Sequence, residues 1–287
     1  MASTEYNPAV EKETSTVPNT TGADLNGANP AVQRYDYGGN PLYHAHTGND
    51  SRLAAFGGEF QPGLYKSTEH RKFANPAPLG LSAFALTTFV LSLVNLNTRG
   101  VVEPNIAVSV AYGYGGLIQL LAGMWEMAVG NTFGATALSS YGGFWISYAI
   151  ILTPAFNVLG AYSESPASDT PSVLGFFLIG WFIFTFILLI LTLRSTVMFF
   201  SLFLTLDLAF FFLAVSEFAG SNGNATASLG LQKAGGVFGL LAAFLAWYNA
   251  FAGIADTSNS FFIIPVFHFP WSEKGRENRA KTARETV

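Results

Sequence analysis

The chain has 287 residues, of which half are hydrophobic and only 11% are charged. A soluble domain has about 25% charged residues, so the low charge excludes an ordinary soluble enzyme. The net charge of −4 offers no basic surface to nucleic acid. The absence of cysteine excludes disulfides, thiolate metal sites and cysteine nucleophiles. The composition is that of a membrane protein, and no cofactor is expected.

The first 70 residues form a polar tail. Residues 1–70 are rich in Asn, Gly, Thr and Pro and contain no long apolar run. A segment of this composition does not bury enough apolar surface to offset the entropy cost of folding. We therefore expect residues 1–70 to be disordered, and the orientation argued below places them in the cytosol.

Six segments after this tail have the length and composition of transmembrane helices. A helix needs about 20 mostly apolar residues to cross a bilayer, and residues 71–256 contain six such runs. In the tail at 257–287, residues 261–269 predict a short interfacial segment, because Pro265 breaks an apolar stretch that is too short to cross. The expected fold is an all-α membrane protein, with spans at about 77–97, 105–126, 133–154, 173–193, 196–216 and 235–255.

Lysine and arginine predict the orientation of the chain. They precede the first span at residues 71 and 72, follow the fourth at Arg194, and recur after the sixth at residues 274–284. Six spans bring these positions to one side, which the positive-inside rule assigns to the cytosol. Both termini are then cytosolic. The sequon at Asn224 lies outside, where the sequence is compatible with a glycan or with an unmodified side chain.

A spacing of 20 residues occurs twice in the membrane domain. A Leu-Gly pair opens the first span at residue 79 and the fourth at residue 174, and an arginine follows each pair after 20 residues. Two units of three spans would form an inverted repeat, which is common in transporters with a site at the midplane. The alternative is that two such pairs occur by chance.

Polar residues inside the spans are the candidates for function, because they are costly in a bilayer. Tyr112, Gln119 and Glu126 are seven residues apart in the second span and share one face at 3.6 residues per turn. That face either lines a pathway or packs against another helix through hydrogen bonds. Asp207 is the carboxylate deepest within a span. It either takes part in proton coupling or is a buried acid that desolvation keeps neutral.

The sequence shows no arrangement typical of catalysis. All four histidines lie outside the predicted spans, and no nucleophile stands near a base and a group that could orient it. Neither a catalytic site nor a metal site is therefore expected.

Several motifs resemble those of the acetate uptake transporter family, which comprises bacterial succinate–acetate permeases and their fungal relatives. The run Asn-Pro-Ala-Pro-Leu-Gly-Leu at residues 75–81 is similar to the signature that opens the first span of that family. Residues 114–119, 131–134 and 140–145 agree with it. The resemblance covers about residues 72–256 and is strongest to the fungal plasma-membrane acetate permeases.

The resemblance implies a non-enzymatic plasma-membrane permease for acetate and related short carboxylates, including succinate. Members form homohexamers with a separate pathway in each subunit, and they are described as proton symporters or as anion channels. An apolar constriction would fall on Phe84, Tyr141 and Leu206. The position that governs substrate size would fall on Ala246.

The remaining site residues follow from the resemblance together with the physics of helix ends. The start of the first span would attract an anion through its free N–H groups and dipole, and Thr88 or Gln119 could replace the water of a carboxylate. Glu126 joins Asp207 as a candidate for proton coupling. An alternative function on the same fold is an acetate-responsive membrane sensor with little flux. The expected substrate contacts are Asn75, Pro76, Leu79, Gly80, Thr88, Gln119, Glu126 and Ala246.

Overall fold

The computed structural model describes residues 73–167, 169–256 and 259–285. The predicted tail at 1–70 lies outside the described residues. Within them, six helices are long and apolar enough to cross a membrane, in agreement with the predicted number. A further helix, α7, spans Glu273–Glu285. The six spanning helices are α1 (Ala77–Asn95), α2 (Asn105–Ala128), α3 (Thr132–Leu152), α4 (Asp169–Thr192), α5 (Val197–Ser221) and α6 (Ala225–Ile254).

Short polar side chains begin three of these helices. The Asn131 side-chain oxygen accepts a hydrogen bond from the Gly134 amide at 2.8 Å. Thr196 and Asn224 cap α5 and α6 in the same way. Each cap satisfies an N–H group that has no partner within the helix. The capped helices α3 and α5 begin at Thr132 and Val197, each within one residue of its predicted start.

The start of α6 differs most from its prediction. The helix begins at Ala225, ten residues before the predicted start at 235. Its first turns contain Ser228, Gln232 and Lys233, so the hydropathy of the sequence detects only the apolar part of a longer helix. α5 likewise continues to Ser221, beyond the predicted end at 216.

The second span contains a π-helical turn. An α-helix at Asn105–Tyr112 is followed by a π-helix at Gly113–Ile118 and a second α-helix at Gln119–Ala128. A π turn inserts an extra residue, and one residue corresponds to about 100° of rotation. Tyr112 therefore does not share a face with Gln119 and Glu126, and the prediction that it does is wrong. This residue is half-buried, with its hydroxyl 3.1 Å from that of Thr153.

Small residues allow close approach at two helix interfaces. α1 packs against α6, and a Cβ added at Gly236 would lie 3.1 Å from the carbonyl oxygen of Ser92. α2 packs against α3, and a Cβ added at Gly142 would lie 2.7 Å from the backbone nitrogen of Leu120. Such contacts between backbones are the usual basis of helix association in membranes.

Aromatic rings fill the space between α3 and the pair α4 and α5. Phe133 lies 5.6 Å from Phe199 between ring centroids, and Phe144 lies 5.1 Å from Phe210. Phe144 also contacts Trp181 of α4 at 5.1 Å. The functional candidates on α3 therefore face an aromatic environment on this side.

The segment after α6 returns to the turn between α4 and α5. Thr196 forms an isolated antiparallel bridge with His268, and the Val197 amide donates to the Phe267 carbonyl at 2.7 Å. The Trp271 indole donates to the Leu193 carbonyl at 2.7 Å. Side chains of the segment predicted as interfacial alternate between buried and exposed, as at Val266 and Phe267. We call residues 264–272 the C-terminal strap.

Candidate functional site

A small cavity lies among α1, α2, α3 and α5. Its volume is about 30 Å³. A water molecule needs at least about 10–15 Å³ of such space, so the cavity has room for about two waters. The lining side chains are all apolar except Gln119 and the hydroxyl-bearing ring of Tyr141. They are Leu81, Phe84, Gln119, Phe133, Gly134, Ala137, Leu138, Tyr141, Phe199, Leu202, Phe203 and Leu206.

The three residues predicted to form a constriction meet at this cavity. Phe84, Tyr141 and Leu206 come from α1, α3 and α5, are buried and all line it. The rings of Phe84 and Tyr141 lie 6.0 Å apart between centroids. Three helices distant in sequence thus place apolar side chains around one space.

Residues of α4 hold the Tyr141 side chain. Its hydroxyl lies 3.0 Å from the hydroxyl of Thr185 on α4, at hydrogen-bonding distance. Its ring also contacts Trp181 and Phe184. Thr185 was not among the predicted site residues, although a hydroxyl within a strongly apolar span was a signal that could have drawn attention to it.

Gln119 is the polar amide of the cavity. Its side chain is 1% exposed, and neither its nitrogen nor its oxygen has a hydrogen-bond partner among the described residues. An unsatisfied buried polar group costs about 1–3 kcal/mol. The amide is therefore well suited to bind a small polar molecule that enters the cavity.

The Glu126 carboxyl group lies behind the wall of the cavity at Gly134. A Cβ added at Gly134 would lie 2.9 Å from Glu126 Oε2 and would clash with the Asn131 amide nitrogen. Gly134 itself lines the cavity. Glu126 is 1% exposed, and its other oxygen has no hydrogen-bond partner in the part of the chain that the structure describes. The missing side chain at Gly134 thus leaves this carboxyl close to the cavity.

The other predicted contacts do not line the cavity. Asp207 is buried beside Leu206 with one oxygen unpartnered among the described residues. Thr88 lies at the interface of α1 and α6, within 3.9 Å of a Cβ added at Gly239. Ala246 is fully buried, whereas Leu79 is 49% exposed.

The start of α1 carries the remaining predicted contacts. The Asn75 side-chain oxygen accepts a hydrogen bond from the Ala77 amide at 3.1 Å, and Pro76 directly precedes the helix. A Cβ added at Gly80 would lie 2.6 Å from Leu138, so Gly80 permits close packing against a side chain that lines the cavity. Asn224, the predicted glycosylation site, is exposed at the start of α6.

Comparison with known proteins decides the family. The family model described as the GPR1/FUN34/yaaH family matches residues 56–271. The chain belongs to this family. The match covers all six spanning helices and the C-terminal strap except its last residue, so it includes the whole of the candidate site.

Relatives of this family have names of transport and of regulation. "Acetate permease A" of Emericella nidulans is 63% identical over 88% of this chain and 85% of its own. "Glyoxylate pathway regulator" of Yarrowia lipolytica is 48% identical over 76% of each. The solved structure titled "Structure of the bacterial acetate channel SatP" is 32% identical with a TM-score of 0.56. It covers 68% of this chain and 99% of that one. None of these names is that of an enzyme.

Proposed function

We propose that this protein is a plasma-membrane permease for acetate and related short carboxylates, with succinate among the candidates. The observation that carries the proposal is the cavity, where Phe84, Tyr141 and Leu206 surround a space with one unpaired amide, Gln119. Membership of the family and the 63% identity to a protein named acetate permease A support the choice of substrate.

The chemistry of the cavity favours a protonated acid over a bare anion. An unpaired carboxylate is expensive in an apolar space, whereas a carboxylic acid offers one donor and one acceptor. An amide also has a donor and an acceptor, so Gln119 is able to pair with both oxygens of the acid. A carboxylate has no proton to donate to the amide oxygen. Transport is therefore expected to be coupled to protons.

Two carboxyl groups are the proposed carriers of the coupled proton. Glu126 is the better placed, because its carboxyl lies beside Gly134, which lines the cavity. Asp207 is buried on α5 next to Leu206. A proton bound there would therefore act through α5, which contributes Leu206 to the constriction. The alternative is that Asp207 has a purely structural role.

Passage requires movement around the cavity. Acetate has four heavy atoms, more than a space for about two waters can hold. Rings that pack through edge contacts can rotate or separate, so we propose that the constriction opens by displacement of Phe84, Tyr141 and Leu206. Both an alternating-access cycle and a channel-like opening would use these residues.

The proposal includes an orientation and an assembly. Arg194 and the basic residues of α7 lie on the side of the strap, which supports cytosolic termini by the positive-inside rule. The two Leu-Gly pairs that open α1 and α4 support a three-plus-three inverted repeat. The family resemblance is the basis for proposing a homohexamer. It is also the basis for placing Ala246 and the start of α1 in the pathway.

A second candidate is an acetate-responsive sensor on the same fold. The relative named glyoxylate pathway regulator favours it. A sensor would need the cavity to bind an acid but would not need it to open to both sides.

Uptake of labelled acetate tests the proposal. Cells that lack their own permease would be compared with and without this protein at pH 5 and at pH 7, with cell-surface protein quantified. Saturable uptake that is faster at pH 5 and inhibited by other short acids is the expected result. Absence of uptake from protein present at the surface would refute the permease and favour the sensor.

A further inference from the structure

The hydrogen bond between Tyr141 and Thr185 connects the cavity wall to α4. The Tyr141 ring lines the cavity, but its hydroxyl is directed to Thr185, 3.0 Å away, and Thr185 does not line the cavity. Both residues are buried, at 3% and 0% exposure. The polar end of this ring is therefore fixed outside the space that its apolar part closes.

The ring cannot leave the constriction without losing this bond. The ring also contacts Trp181 and Phe184 of α4 and the cavity residue Phe203 of α5, at 5.9–6.4 Å between centroids. Aromatic pairs remain favourable over centroid distances of about 4.5–7 Å, so these contacts tolerate a small displacement. A hydrogen bond weakens steeply outside a narrow range of distance and angle. Of the contacts that hold the ring, the bond to Thr185 is thus the most selective for the closed position.

We propose that Thr185 is a positioning residue that latches Tyr141 in the closed constriction. On opening, the Tyr141 hydroxyl exchanges Thr185 for an oxygen of the passing acid or for water. This inference rests on the proposed permease function and adds to it a residue that controls the gate without touching the substrate.

Removal of the threonine hydroxyl has a defined consequence. In Thr185→Val the side-chain shape is kept, but the tyrosine hydroxyl has no partner when the constriction is closed. Leaving a buried hydroxyl unpaired disfavours that state by about tenfold. The open state, in which the hydroxyl meets the acid or water, is affected less. We expect Thr185→Val to increase the initial uptake of acetate and of four-carbon acids by up to about tenfold.

Two variants separate the latch from a loss of packing. Thr192 is a matched control, because it is also fully buried on α4 but its hydroxyl donates to Leu189 of its own helix at 2.6 Å. Thr192→Val should leave uptake per surface protein unchanged. Thr185→Ser restores the hydroxyl and should return uptake towards the wild-type value even if its stability is lower.

The decisive measurement is a double-mutant cycle with Tyr141→Phe. In that background there is no tyrosine hydroxyl to be left unpaired, so Thr185→Val should change uptake by less than about twofold. Equal effects of Thr185→Val with and without the tyrosine hydroxyl would overturn the latch, as would equal behaviour of Thr185→Val and Thr192→Val.

The wild-type protein in the same assay separates the two proposals. If it takes up acetate while Thr185→Val matches its control, the latch is wrong and the permease stands. If wild-type protein at the surface takes up no acetate, the permease fails and the latch, which depends on it, fails with it.

Discussion

The two sides of α3 contact their neighbours in opposite ways. Gly142 faces α2 so closely that a Cβ would lie 2.7 Å from a backbone nitrogen. Tyr141, the preceding residue, faces α4 and α5 through its ring and one hydrogen bond. Close backbone contact leaves no room for rearrangement, whereas side chains can adopt other rotamers. We therefore expect α2 and α3 to move as one unit, and any opening of the proposed constriction to occur on the aromatic side.

The position of the cavity agrees with this division. Its wall is formed by residues of α1, α2 and α3 together with four large side chains of α5, namely Phe199, Leu202, Phe203 and Leu206. The C-terminal strap hydrogen-bonds to the beginning of α5 at Val197. Movement of α5 relative to α3 would therefore change the cavity while the contact of α2 with α3 stays intact.

The largest expected effect comes from filling the close contact. Gly142→Val should destabilise the fold by about 3 kcal/mol, the upper end of the usual cost of overpacking, because a backbone atom blocks the new side chain and the helices must separate. Thermal unfolding of the purified protein in lipid nanodiscs would measure this. Gly143→Val is the matched control, since a Cβ there meets nothing within 4 Å. Similar losses for both variants would show that the α2–α3 contact is not the rigid side.

A second effect is expected from shortening the cavity wall. Leu206→Ala and Phe84→Ala would enlarge the proposed constriction. An apolar pocket discriminates between substrates by about tenfold for each methylene, so we expect the uptake of four-carbon acids relative to acetate to rise by about tenfold. Rates should be normalised to surface protein, because truncation of a buried Leu or Phe costs about 2–5 kcal/mol. Leu204→Ala, on the same helix but 37% exposed and away from the cavity, should keep the wild-type preference. An unchanged preference in both cavity variants would remove the constriction hypothesis.

A third prediction compares the two buried carboxyl groups. Glu126→Gln should abolish most of the increase in uptake between pH 7 and pH 5, because the amide cannot bind and release the coupled proton. Neither carboxyl lines the cavity, but Glu126 lies beside the cavity residue Gly134, so Asp207→Asn should reduce that increase less than Glu126→Gln does. The ratio of uptake rates at the two pH values is the measurement. The reverse result would transfer proton coupling to α5, the movable side.

The smallest effect is expected at the C-terminal strap. Burial and the positive charge of Lys274 lower the pKa of His268 below its usual value. Between the pKa of His268 in the folded protein and its higher pKa in the unfolded chain, the unfolded chain binds more protons. The stability that the neutral His268 contributes is therefore present above the unfolded pKa and is lost as the pH falls through the folded pKa. His268→Gln should reduce the drop in melting temperature between pH 7.5 and pH 5. An unchanged drop would mean that His268 does not titrate with unfolding of the strap.

Local patterns were enough to predict several features of the molecule. Six apolar runs of sufficient length predicted six spanning helices, because the bilayer imposes both length and composition. The caps at Asn131 and Thr196, which act within three residues, were a further local signal that the prediction of the spans did not use. The start of α6 was missed because its polar first turns have helical structure without the hydropathy of a membrane span.

Tertiary structure decided how these parts form a site. The meeting of Phe84, Tyr141 and Leu206 was expected only from family resemblance, and no periodicity within one helix could have indicated it. Thr185 lies 44 residues from Tyr141, and Glu126 lies beside the cavity residue Gly134 of another helix. The sequence by itself determined which segments become helices, because hydropathy and capping act over neighbouring residues. Which of their side chains share a cavity depends on how the helices pack, including the π turn that rotates Gln119 relative to Tyr112.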